Sequence, residues 1–79
     1  MNSEQLHILR HSLGIGDNGK GSSYRNHFCT GPGSKDYDDC QALVAEGYMT
    51  RRAGGPLSGG DDIFVVTDAG KAAAKPQAN

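Results

Sequence analysis

Residues 43–70 read LVAEGYMTRRAGGPLSGGDDIFVVTDAG, and the order of signals in this stretch decides the fold. Leu43 and Val44 close an amphipathic helical run, and Gly47 stands where a left-handed residue ends a helix. Tyr48 or Met49 then supplies the apolar contact that accompanies such a stop. Residues 48–52 and 63–66 read as strands, rich in β-branched and aromatic side chains at one end and in arginine at the other. The connection between them, residues 53–62, is glycine-rich and longer than a tight turn, which predicts a two-stranded hairpin with a long tip. Thr67 caps a last short helix, whose alanines favour helix and whose Pro76 lies beyond its end.

Upstream, SKDYDDCQALVAEG at 34–47 predicts the helix that feeds this hairpin. Ser34 is its cap, and Asp36, Asp38 and Asp39 load the positive end of its dipole. Tyr37, Cys40, Leu43 and Val44 share one face by helical spacing. Earlier still, SEQLHILRHSL at 3–13 predicts a first helix, with Ser3 as cap and Leu6, Leu9 and Leu13 as its apolar stripe beside Ile8. Gly14 ends it. Between the two helices, YRNHFC at 24–29 reads as a helical turn or a brief strand, with Phe28 as core anchor.

The segment GIGDNGKGS at 14–22 contains both G-x-G-x-x-G and G-x-x-x-x-G-K. A phosphate cradle needs a strand before it and a helix after it, so that backbone N–H groups and the helix dipole face the anion. Here a helix precedes and an irregular segment follows, and Gly21 stands where a Ser or Thr would hold magnesium. The stretch is a connection, and no nucleotide or other cofactor is expected.

The 79 residues allow a single domain over 1–75, with 76–79 as a polar tail. With 35% hydrophobic residues and a mean hydropathy of -0.58, the core is thin. No apolar run approaches the length of a membrane span, and the N-terminus lacks a basic region followed by an apolar one. A cytoplasmic location is therefore expected. The net charge of -1 departs from the strongly basic balance of most nucleic-acid binders.

The order helix, helix, hairpin and short helix resembles the winged-helix superfamily. The residues that carry the likeness are Leu43-x-x-x-Gly47, the basic pair Arg51 and Arg52, the return strand 63–66, and Thr67-x-x-Gly70. The resemblance covers residues 34–75 and implies a small α+β domain of helices packed on a two-stranded wing. The whole chain also resembles small bacteriophage and prophage proteins, which implies work in the cytoplasm of a bacterial host. One departure matters. The family's recognition helix enters the major groove by its N-terminal part, and here that part carries three aspartates, which phosphates repel.

Two functional expectations follow. In the first, a non-enzymatic protein-interaction module or inhibitor of host machinery meets its protein partner through Asp36, Asp38, Asp39, Arg51, Arg52 and Leu57. In the alternative, a transcriptional regulator binds DNA through Lys20, Arg25, Arg51 and Arg52. Oligomeric state stays open, a homodimer included. His7 and His11, four apart, face one way along a helix, but with His27, Cys29 and Cys40 they make no complete zinc pattern. No metal is expected; the histidines read as surface residues, Cys40 as core, and Cys29 as packed beside Phe28. His27 and Cys29, separated by one residue, lack an orienting third group for nucleophilic catalysis, and no catalytic residue is expected.

Overall fold

In a computed structural model, which describes residues 1–16, 21, 25–54 and 59–75, the first helix α1 spans Ser3–Leu13. Its cap is Asn2, one residue earlier than the expected Ser3. The Asn2 side chain accepts the Gln5 N–H at 2.8 Å while the Gln5 side chain accepts the Asn2 N–H at 3.2 Å. This reciprocal box satisfies two of the helix's open donors, which a lone serine hydroxyl would not. At the other end Gly14 adopts φ 78°, and the N–H groups of Gly14 and Ile15 return to the His11 and Arg10 carbonyls. The buried stripe runs through Ile8, Leu9, Ser12 and Leu13, with Leu6 only half-buried. Ser12 is tolerated there because its hydroxyl donates to the Ile8 carbonyl at 2.6 Å.

Strand β1 (Phe28–Thr30) follows, then α2 (Lys35–Ala45), β2 (Met49–Arg52), β3 (Asp62–Val66) and α3 (Asp68–Ala74). The result is a small α+β domain with three helices and a three-stranded antiparallel sheet in the order β1-β3-β2 among the described residues. The sheet thus has one strand more than the expected hairpin. FCT is too short to read as a strand by alternation alone. It becomes one because Phe28, Cys29 and Thr30 sit opposite Phe64, Ile63 and Asp62 of β3.

Asn26 extends that pairing beyond the strand. By register it stands across from Val66, and its side-chain amide takes over the ladder: Nδ2 donates to the Val66 carbonyl at 3.0 Å and Oδ1 accepts the Val66 N–H at 2.9 Å. The amide thereby satisfies backbone groups that the short strand leaves unpaired.

Side chains alternate strictly across the sheet. Asp62, Phe64 and Val66 are buried on the helix-covered face, together with Met49 from β2. Fully buried Phe64 sits centrally, with Leu9 and Leu43 buried in the same core cluster. At the end of α2, Gly47 takes φ 84°, and Tyr48 N–H bonds to the Leu43 carbonyl at 2.9 Å. The two ends of the 43–70 stretch then meet. Thr67 donates through its hydroxyl to the Gly47 carbonyl at 2.7 Å and through its N–H to the Tyr48 carbonyl at 2.9 Å. Its hydroxyl also accepts the Gly70 N–H and so caps α3, as expected. Gly70 is the position where only hydrogen fits, since a Cβ would collide with the Tyr48 carbonyl and lie 2.6 Å from a Val66 methyl.

Candidate functional site

The N-termini of α1 and α2 lie side by side and form an acidic pole. The Gln5 amide donates to Asp39 Oδ1 at 3.3 Å and bridges the two helices. Glu4, Asp36, Asp39 and Lys35 line a shallow cleft of about 150 Å³ between them. Asp38 is exposed on the same turn of α2. The helix dipoles make this a favourable place for carboxylates. Ser34 caps α2 as expected, accepting the Asp36 N–H at 3.3 Å.

A second polar cluster sits at the root of the β2–β3 hairpin and is centred on Asp62, which is 5% exposed. One of its oxygens, Oδ2, accepts both Arg51 Nε and the Tyr37 hydroxyl, each at 2.7 Å. The other, Oδ1, accepts the Gly54 N–H at 3.2 Å. The hydrogen bonds from Arg51, Tyr37 and Gly54 hold the Asp62 carboxyl below its ordinary value. Reciprocally, donation to Asp62 raises the pKa of Tyr37 and of Arg51, because removing the donated proton from either would break its bond to the carboxylate. The cluster joins α2, β2 and β3, and the Tyr37 ring continues it into the core edge-on to Phe64.

This geometry separates the expected binding residues. Asp36, Asp38 and Asp39 are together on the acidic pole, while Arg51 and Arg52, adjacent in sequence, point to opposite faces of the sheet. Arg51 is bound to Asp62; Arg52 is exposed on the face away from the helices. Arg25 lies elsewhere, with Nε and Nη2 donating to the His11 carbonyl at 3.0 and 2.8 Å. Arg10 does the same for α3, its Nε bonding to the Ala74 carbonyl at 2.8 Å. Both guanidinium groups thus serve helix C-termini, where positive charge is stabilising. Lys20 and Leu57 lie outside the described residues.

Sequence reading passed over Asp62, and the missed signal was its parity. Counting back by two from Phe64 puts Asp62 on the core face, where a carboxylate requires partners. Asn26 carried no such signal, because its role depends on a register that only the paired strands define.

Both cysteines are free thiols. Cys40 is buried as expected. Cys29 is exposed, which corrects its expected packing beside Phe28; neighbours on a strand face opposite ways. His7, His11 and His27 are at the surface. Among the described residues no three His, Cys, Asp or Glu side chains come together as a metal site, and no helix is long and apolar enough to cross a membrane. No protein-family model, curated protein or solved structure matches the chain.

Proposed function

We propose that this chain is a non-enzymatic protein-interaction module, of the kind small phage and prophage proteins provide, which engages a basic surface of a host protein. The acidic pole of Asp36, Asp38 and Asp39 is the primary contact, and the exposed Arg52 of the wing flanks the interface. The observation that carries this reading is the use of the arginines. Of the four, Arg10, Arg25 and Arg51 are bonded to helix carbonyls or to Asp62, whereas Asp36, Asp38 and Asp39 gather at one end of the domain, with Asp38 exposed. A domain whose guanidinium groups serve its own fold presents little to a phosphate backbone. An acidic pole instead speeds encounter with basic proteins and rejects acidic ones.

The winged-helix reading of the fold is supported by the strand order β1-β3-β2 and by a helix leading directly into the hairpin. The DNA-reading version of that fold relies on two helices joined by a short turn. Here β1 intervenes between α1 and α2, which weighs further toward protein contact.

Capture from bacterial lysate tests the proposal. Immobilised wild-type chain is expected to retain a protein after nuclease treatment, and an Asp36→Asn/Asp38→Asn/Asp39→Asn variant is expected to lose it. Release by nuclease alone would point to the DNA-binding regulator instead.

A further inference from the structure

We propose that the C-terminal ends of α1 and α3 form a basic docking surface for a second copy of this chain, which meets it with its acidic pole. Arg25 donates to the His11 carbonyl at the end of α1, and Arg10, one residue before His11, reaches the Ala74 carbonyl at the end of α3. Lys75 follows Ala74, and Lys71 stands one helical turn earlier; both are exposed. Two helix C-termini and the cationic side chains of Arg10, Arg25, Lys71 and Lys75 therefore gather at one end of the domain. Asp68 stands at the other end of α3.

Opposite signs thus occupy opposite ends of α1. Its first turn carries Glu4 and meets α2 through the Gln5–Asp39 bond, while its last turn carries the basic end. Lys35 offsets part of the acidic pole. An 11-residue helix is about 16 Å long, beyond the screening distance of about 8 Å at physiological salt, so the two ends do not neutralise each other within one copy. Among the described residues the side chains of Glu4, Asp36 and Asp38 at one end, and of Lys71 and Lys75 at the other, make no hydrogen bond or ion pair. A second copy carries a patch of the opposite sign and similar extent, and at net charge -1 two copies repel only weakly. A duplex is a poorer occupant, because its phosphates meet a domain with no net positive charge. Exposed ion pairs contribute little each, so the contact is weak and salt-sensitive. The inference rests on the acidic pole being a docking surface and gives that pole a second occupant beside the host protein.

The test is sedimentation equilibrium of the purified chain, in a Cys29→Ser background so that the exposed thiol forms no cross-link. At about 1 mM chain, the scale of a weak complex, and about 0.01 M ionic strength, the weight-average mass is expected to exceed the 8.3 kDa of one chain by at least about a quarter. It should return to that mass at about 1 M salt. Lys71→Gln/Lys75→Gln and Asp36→Asn/Asp38→Asn/Asp39→Asn should each fall back to the mass of one chain, because each has lost one pole. Their equimolar mixture should associate again, since one variant keeps the acidic pole and the other the basic end. A wild-type chain that stays at 8.3 kDa in low salt, or association that Lys71→Gln/Lys75→Gln leaves unchanged, overturns the proposal. So does a mixture that stays monomeric while circular dichroism shows both variants folded. Such a failure leaves the capture from lysate standing, because sedimentation of the purified chain reads no host protein.

Discussion

Arg51 reaches diagonally across the β2–β3 hairpin to Asp62, with Nε 2.7 Å from Oδ2, and the oxygen it meets also accepts the Tyr37 hydroxyl. This pairing turns a residue with the appearance of a surface cation into part of the hairpin's foundation. Removing Asp62 leaves Arg51, Tyr37 and the Gly54 N–H without their common acceptor. Asp62→Ala is therefore expected to lower the thermal midpoint more than Arg52→Ala, in which an exposed side chain on the other sheet face is lost. Calorimetry of the two variants checks the order.

The same carboxylate makes stability depend on acid. Its native pKa is below the ordinary 3.8, so its contribution is complete above that value. The contribution fades as pH falls through the ordinary aspartate range and is gone below the lowered native pKa. Urea titrations from neutral pH to pH 2 are expected to show this acid limb in the wild type and a flatter one in Asp62→Asn.

Asn26 supplies the second expectation about the sheet. Asn26→Ala strips both partners from the Val66 backbone and should cost about 1–3 kcal/mol, the penalty for a buried group left unpaired. Asn26→Asp keeps the acceptor for the Val66 N–H but sets a carboxylate oxygen against the Val66 carbonyl, acceptor facing acceptor, and is expected to cost at least as much as alanine. Denaturant midpoints distinguish the three.

Gly70→Ala tests the junction where Thr67 meets Gly47 and Tyr48. Alanine would favour the helix by about 1 kcal/mol on propensity alone. The collision of its methyl with the Tyr48 carbonyl and the Val66 side chain opposes this, and a net loss of about 1–3 kcal/mol is expected. Equilibrium unfolding reads the sign directly.

The thiols should differ sharply. Cys29 is exposed and should react with a thiol reagent at once; Cys40 should react only as the chain unfolds. Burial, and then the nearby Asp36 and Asp39, push the Cys40 thiol from 9.0 up to about 12. Its neutral form is thus favoured by folding, and that contribution is lost as pH rises from 9 toward 12. Labelling rates with and without denaturant check the difference.

The helices and the hairpin were legible because each is written in local terms. Ser34, Gly47 and Thr67 act on residues only a few positions away, and the alternation of 62–66 survives any tertiary context. The cap of α1 is Asn2 and not the expected Ser3 because the reciprocal Asn2–Gln5 box outcompetes a lone serine hydroxyl. Strand β1 was legible only as one of two alternatives for residues 24–29, and the Asn26 latch not at all, for a different reason. Three residues carry too little pattern, and their pairing with β3 lies more than thirty positions away. The acidic pole was legible as a charge run. The diversion of Arg51 and Arg25 into the fold was not, since it depends on acceptors distant in sequence or on carbonyls that only a finished helix leaves open.

If this domain meets a protein through its acidic pole, as proposed, it does not bind a phosphate backbone. A fluorescence anisotropy titration of a labelled DNA duplex, at low and moderate salt, tests it most directly. Non-specific DNA binders reach dissociation constants of about 10⁻⁴–10⁻⁶ M at physiological salt and bind more tightly below it. No saturable binding is expected across that range even at low salt. Micromolar binding that weakens steeply with salt and disappears in Arg52→Ala would contradict it.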